Sequence, residues 1–331
     1  MSKLNKLIVI LGPTASGKSE MALKLAKKYD GEIINADSRQ IYKKMIIGTG
    51  SPTSESQKSH AYRQAGKIKS QNDNAKVKNM LLRHFAIENV PNYLFHFVSP
   101  KKQYSVAEYK RSAIKIIRDI HERNKLPILV GGTGLYISSI VDNFEIPKAP
   151  PSNKIRASLE KETATELFNM LAKIDPNSAA VIGPNNKRKL IRAIEVYKIT
   201  GKPFSSLKMK GEPLFNVLQI AVKYDRNKLY KKIDRRVDGM IKNGLIEETK
   251  YLLKKYSHKL PAMTGIGYKE IGRYLSGELP LSEAAQRIKF RTHQYARRQM
   301  TWFKRDERIR WVKNQNDAMK IMKRFLDNSL K

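Results

Sequence analysis

The most constraining feature of this chain is the string Gly12-Pro13-Thr14-Ala15-Ser16-Gly17-Lys18-Ser19. It matches the phosphate-loop pattern G-x-x-x-x-G-K-[ST], and its context is right for the chemistry. The apolar run Leu7–Leu11 precedes it and reads as a strand buried on both faces of a parallel sheet. Ser19 to Tyr29 follows it with Ala22, Leu25 and Ala26 at helical spacing and Gly31 placed to stop the helix. In that setting the glycines turn backbone N–H groups inward around phosphate oxygens, Lys18 neutralises charge, and the Ser19 hydroxyl can reach a magnesium ion. The loop specifies a diphosphate and leaves the reaction open.

Strand, loop and helix at the start predict an α/β fold, and the rest of the chain continues it. A short strand, Glu32 to Ala36, delivers Asp37 at its carboxyl end. Ser105 to Glu122 reads as a helix, with Val106, Tyr109, Ala113, Ile116, Ile117 and Ile120 on one face, followed by the strand Leu126–Val130. These alternations predict a doubly wound parallel sheet of the P-loop NTPase type. Prolines 147, 150 and 151, then Gly211 and Pro213, bracket a stretch of helical pattern that lies before the strand Phe215–Tyr224. The expected organisation is a first part of the core at 1–146, a helical insertion at 147–213, and the rest of the core with a helical, basic C-terminal region at 214–331. Residues 55–90 break the rhythm: Lys58 to Arg83 carries seven Lys/Arg against one Asp and no strong apolar repeat, as an inserted segment would. It is expected to be exposed, and either adds phosphate contacts or contacts nothing.

Charge narrows the partner. Lys plus Arg number 65 against 30 Asp plus Glu in 331 residues, a net charge of +35, which points to a polyanion. A genome rich in A and T would inflate the lysines without placing them. Three clusters are therefore the better guide: Lys187-Arg188-Lys189 with Arg192, Lys231-Lys232 with Arg235-Arg236, and the stretch from Arg287 to Arg310. On a helix Arg287, Arg291, Arg298 and Arg305 would share one stripe, suited to phosphates or simply solvated. With no cysteine, disulfides and thiolate metal sites are excluded. The apolar run near the start is too short for a membrane span, so a cytoplasmic protein with no membrane partner is expected.

Two further motifs bear chemistry. Asp37, at a strand's carboxyl end, is a candidate general base, magnesium ligand or helix N-cap. The strand Pro127–Val130 ends in Gly131-Gly132-Thr133-Gly134 where a nucleotide hydrolase would carry an acidic metal ligand, which disfavours hydrolysis. Such a turn suits the close approach of another backbone or a base, or is a plain strand-to-helix turn.

Eight strings resemble, in order, the motifs of the tRNA dimethylallyltransferases: GPTASGKS (12–19), NADSRQIY (35–42), YSVAEYKRSA (104–113), LPILVGGTGLYI (126–137), KRKLIRAIEVYKITGKP (187–203), YKKIDRRVDGMI (230–241), GIGYKEI (265–271) and QYARRQMTWFK (294–304). The resemblance spans nearly the whole chain. It implies transfer of a dimethylallyl group from dimethylallyl diphosphate to the exocyclic N6 amine of the adenosine 3′-adjacent to the anticodon, with Mg²⁺ as cofactor and the anticodon stem-loop as partner. By position Asp37 matches the family's general base, and Ser38, Arg39 and Gln40 its anticodon-contact segment. Gly12 to Ser19 match the donor-diphosphate loop, with Ser19 where Thr is common. Arg236 matches an arginine that clamps the diphosphate, while Thr133 and Arg156 match tRNA contacts, to which the basic cluster Arg188, Lys189 and Arg192 is added. The chain departs from the pattern in its long basic segment, in Pro91-Asn92-Tyr93 where Pro-His-His is usual, and in Ile46 where an acidic residue is common. A bacterial type without a zinc finger, acting as a monomer, is expected.

Three other classes are consistent with parts of the sequence. A small-molecule kinase would share the loop and Asp37 without needing the charge, the insertion or the second glycine turn. A prenyltransferase acting on free adenine nucleotides would share the chemistry and lack the polyanion-binding surface. A non-catalytic RNA binder would leave the loop and Asp37 idle.

Overall fold

The alternation Leu7, Val9, Leu11 against Ile8, Ile10 decides the layering. In the computed structural model, which describes residues 4–52, 84–207 and 210–327, the first set joins one apolar cluster and the second another on the opposite side of the sheet. Strand β1 (Lys6–Leu11) is central, with β5 (Leu126–Gly131) and β6 (Asn216–Val222) paired to it in parallel. With β2 (Gly31–Asn35), β3 (His84–Ile87), β4 (Val90–Tyr93) and β7 (Ile309–Val312), the sheet runs β3-β4-β2-β5-β1-β6-β7. Every pair is parallel except β3–β4.

Helices α2 (Val106–Glu122) and α3 (Gly134–Val141) cover the Leu7–Val9–Leu11 face, and α1 (Lys18–Lys28) and α12 (Gln315–Asp327) cover the other. A capping box closes the start of α2, with Ser105 accepting from the Glu108 amide and Glu108 from the Ser105 amide. Helices α8 (Arg226–Lys242), α9 (Leu245–Leu253), α10 (Tyr268–Leu275) and α11 (Leu281–Phe303) gather around Ile41, Tyr42 and Met45. That cluster packs the chain leaving β2 against the C-terminal helices, and so fixes Asp37 from both ends.

Two details differ from the sequence reading. The C-terminal region contains β7 as well as helices, and a hairpin, β3–β4, occupies the end of the stretch taken as inserted. Neither presents an apolar run: β7 exposes Arg310 and Trp311 between buried Ile309 and Val312, and β4 contains Pro91. The proline is tolerated because β4 pairs with β2 only at Asn92 and Tyr93. Glu88 and Asn89, at φ +50° and +66°, close the hairpin with the doubly left-handed turn that matches strand twist. The basic stretch Lys58 to Arg83 lies outside the described residues.

A second unit, Asp142–Pro213, is divided from the rest, opening a few residues before Pro147. It holds α4 (Asn153–Leu159), α5 (Ala164–Ile174), α6 (Pro176–Ile182) and α7 (Lys187–Thr200) around Leu159, Leu167, Leu171, Leu190 and Ile194.

Candidate active site

The phosphate loop is built from positive-φ backbone. Gly12, Ala15 and Gly17 lie at φ +154°, +61° and +87°, and a Cβ on Gly12 would stand 2.9 Å from Ser16 Oγ. That Oγ is buried without a hydrogen-bond partner among the described residues, a hydroxyl suited to a phosphate oxygen. Helix α1 begins at Lys18 with no side-chain cap, so its first N–H groups are left for an anion. Among the described residues Lys18 Nζ reaches only the Pro13 carbonyl, at 3.3 Å. Burial pushes its pKa down to about 8; the Asp37 carboxylate opposes this and the Arg236 guanidinium adds to it.

Asp37 is held by its neighbours on both sides. Its N–H donates to Asn35 Oδ1 at 2.9 Å, and Asn35 Nδ2 anchors to the Leu94 carbonyl at 3.0 Å. Asp37 Oδ1 accepts from the Arg39 N–H at 2.8 Å, an Asx turn. The residues that follow form turns, not a helix, so Asp37 caps no helix. Its Oδ2 has no hydrogen bond among the described residues, leaving it available to a proton or a metal.

The second glycine turn is a place of close approach. A Cβ on Gly131 would lie 2.2 Å from the Ala36 carbonyl oxygen, and one on Gly134 2.4 Å from Trp302. Thr133 donates its N–H to Ala36 O at 3.1 Å, and its Oγ1 accepts from the Ser38 N–H at 3.0 Å. Gln299 of α11 then stitches this turn to the phosphate loop. Its Oε1 accepts from Thr14 N–H at 2.9 Å and its Nε2 donates to Gly132 O at 2.8 Å.

Arg236, from α8, completes the cationic wall. Its Nη2 donates to the Gly50 and Thr49 carbonyls at 3.0 and 3.4 Å, and Gln40 Nε2 donates to the same two oxygens. Burial lowers the Arg236 pKa against the pull of Asp37. Asp37, Thr14, Ser38 and Arg236 line a cavity of about 420 Å³ whose remaining wall includes Met45, Ile233, Val237, Met240 and Ile266, with Tyr295 and Arg298. A second cavity of about 400 Å³ is lined by Lys18, Ser19, Gln40 and Asn92, and again by Asp37. Such a pairing of cations with an apolar wall fits a hydrocarbon carrying an anionic head.

The remaining sequence candidates are placed less uniformly. Arg39 is exposed, its Nη1 bonded to Pro261 O at 2.8 Å. In the helical unit, Arg156 and Arg192 both grip buried Glu195, Arg156 through Nε and Nη2 at 2.8 and 2.9 Å and Arg192 through Nη1 at 2.7 Å. Arg156 therefore holds α4 to α7, and Arg192, whose Nη2 donates to the Ala149 carbonyl at 2.9 Å, ties α7 to the chain before α4, whereas Arg188 and Lys189 are exposed, their side chains without a hydrogen bond or ion pair among the described residues. The arginine stripe also divides: Arg287 pairs with Glu283 and Arg291 with Glu270, while Arg298 lies over the Tyr295 ring and faces the cavity. Sequence reasoning did not single out Gln299 or Glu248, although Gln299 lies inside the QYARRQMTWFK string.

No group of three acidic or histidine side chains able to hold a metal exists among the described residues. The donor set nevertheless fits magnesium, which keeps most of its waters and takes one or two protein oxygens plus substrate phosphates. The Ser19 hydroxyl, which lines a cavity with Lys18, can be such an oxygen.

Comparison with known proteins places the chain in a family. Residues 83–306 match the family model described as IPP transferase, and residues 5–86 the one described as isopentenyl transferase. The tRNA dimethylallyltransferases of Pelotomaculum thermopropionicum and Caldanaerobacter subterraneus are each 42% identical to the chain, covering 96% and 92% of it and 95% and 91% of their own lengths. Among solved structures, the full-length tRNA isopentenylpyrophosphate transferase of Bacillus halodurans superposes with a TM-score of 0.67 at 34% identity, covering 98% of this chain and 97% of that one. A eukaryotic dimethylallyltransferase acting on tRNA gives 0.74 at 28% identity, covering 98% and 80%. The chain belongs to the IPP transferase family of tRNA dimethylallyltransferases.

Proposed function

We propose that this protein transfers a dimethylallyl group from dimethylallyl diphosphate to the N6 amine of the adenosine next to the anticodon, on its 3′ side, in tRNA, releasing diphosphate. The observation that carries the reading is the position of Asp37, which lines both the cavity beside Lys18 and Ser19 and the cavity with the apolar wall. A carboxylate there can meet the acceptor amine while the phosphate loop holds the donor's head.

The chemistry needs two things of the protein. An aromatic amine is a poor nucleophile, so Asp37 Oδ2 takes its proton as the carbon–nitrogen bond forms. The carbon–oxygen bond to diphosphate breaks in the same displacement, and the departing charge is met by Lys18, Arg236, the Ser16 hydroxyl and the amides at the start of α1. Magnesium, which the Ser19 hydroxyl would hold with the diphosphate, would supply further neutralising charge. Met45, Val237 and Met240 shelter the hydrocarbon from water. The base must leave its stack to reach Asp37, and the helical unit with exposed Arg188 and Lys189 is suited to gripping the stem-loop. No helix among the described residues is long and apolar enough to cross a membrane.

Incubating the protein with labelled dimethylallyl diphosphate and an anticodon stem-loop should move the label into RNA with one diphosphate released per transfer. Fast ATP turnover with no label in the RNA would replace this reading with that of a kinase or hydrolase.

The lowered pKa of Lys18 gives a pH signature. An anionic head favours the protonated amine, so its binding draws the Lys18 pKa back up and takes up a proton above the free value of about 8. Pyrophosphate affinity should therefore fall as pH rises past about 8, by up to about tenfold per unit. Stability of the free protein moves the other way: the unfolded lysine, near its ordinary 10.5, keeps a proton the folded one has lost, so folding gains between about 8 and 10.5. Calorimetry near pH 8.5 in buffers of different ionisation enthalpy measures the uptake, with Lys18→Met as the blank for pyrophosphate's own titration. Equal uptake by the two proteins would contradict the assignment.

A further inference from the structure

Glu248, on α9, belongs to none of the groups above. Its carboxylate collects three consecutive backbone amides: Oε2 accepts from Ile46 and Ile47 at 3.0 and 2.9 Å, and Oε1 accepts from Gly48 at 3.0 Å. The Tyr268 hydroxyl donates to the same Oε1 at 2.6 Å. Converging N–H groups of this kind form an anion nest, filled here by the protein's own carboxylate. Gly48 also packs closely on the Tyr268 ring, where a Cβ would stand 2.5 Å from it.

The segment so held leads directly to the cationic wall. Gly50 N–H donates to Ile47 O at 2.8 Å and Ser51 N–H to Ile46 O at 3.0 Å, so the turn is closed on the residues Glu248 grips. The next two carbonyls, of Thr49 and Gly50, are the ones that receive Arg236 Nη2 and Gln40 Nε2. Gly48 and Thr49 also line the larger cavity beside Arg236. Removing the carboxylate leaves three amides to find other partners and frees the carbonyls that aim the guanidinium.

We infer that Glu248 is a positioning residue for the donor's diphosphate: it sets the Ile46–Gly50 turn, and through the Thr49 and Gly50 carbonyls it sets the place of Arg236. The inference rests on the proposed role of Arg236 as the diphosphate clamp. A plain structural brace would lower stability without any thermodynamic link to Arg236, and that difference is measurable.

The experiment is a double-mutant cycle in the full chain, read by calorimetric binding of inorganic pyrophosphate with magnesium. Glu248→Gln places an amide NH₂ against backbone donors and should weaken pyrophosphate by roughly tenfold, the scale of one lost charge-assisted contact. In an Arg236→Ala background the same change should cost less than about twofold. In transfer assays Glu248→Gln should raise KM for the donor more than it lowers kcat, since bound donor re-aims the arginine. Tyr268→Phe, which keeps the three amide contacts, should show the same dependence on Arg236 at a smaller amplitude, and it carries the test if Glu248→Gln folds poorly. Equal losses with and without Arg236, or no loss in the wild-type background, would overturn the inference. If Arg236→Ala alone leaves pyrophosphate binding intact, the clamp itself fails, and that failure is visible separately in the single variant.

Discussion

Asp37→Asn slows single-turnover transfer by roughly 10²–10⁴-fold, the usual scale for losing a general base, while tRNA binding stays within about threefold of wild type. Asparagine keeps the Oδ1 acceptor that closes the Asx turn with the Arg39 amide, so the local fold survives and only the proton acceptor is lost. Quenched-flow measurement at saturating donor and tRNA separates the chemical step from product release. A rate near that of wild type would remove Asp37 from the chemistry.

Lys18→Met lowers kcat by roughly 10²–10³-fold, as expected for one preorganised charge removed from a developing anion in a dry site. Methionine fills the space of the lysine stem, so the buried surroundings recorded in the lowered pKa of Lys18 tolerate the change. The variant's activity should also lack the decline expected of wild type above about pH 8. An unchanged kcat, or a decline that persists in the variant, would mean that the amine serves the loop's shape and not the leaving group.

The fold was legible where local chemistry and tertiary context agree. The apolar run of β1, the two phosphate-loop glycines and the amphipathic faces of α1 and α2 each declare themselves within a few residues, and their burial follows. Strand β7 did not, because two of its four residues face outward and an edge strand needs no apolar run. The β3–β4 hairpin was hidden by Pro91 and by a basic neighbourhood that resembled an insertion. In the site, Asp37, Lys18 and the loop were readable from a motif and a strand end. Gln299 and Glu248 were not, since their partners are backbone amides and carbonyls between 167 and 285 residues away in sequence, and backbone groups leave no trace in side-chain patterns. The arginines show the converse. Arg156, Arg192, Arg287 and Arg291 looked alike as positive charge, and only the folded chain reveals that each faces a carboxylate.

The most direct test of the central claim is mass spectrometry of nucleosides from digested tRNA, comparing the parent strain with one lacking this gene and with that strain carrying either the wild-type chain or the Asp37→Asn variant. The account predicts that N6-(dimethylallyl)adenosine and its derivatives disappear with the gene, that unmodified adenosine takes their place beside the anticodon, and that only the wild-type chain restores them. Persistence of the prenylated nucleoside without the gene, or its restoration by the Asp37→Asn variant to wild-type levels, would contradict it.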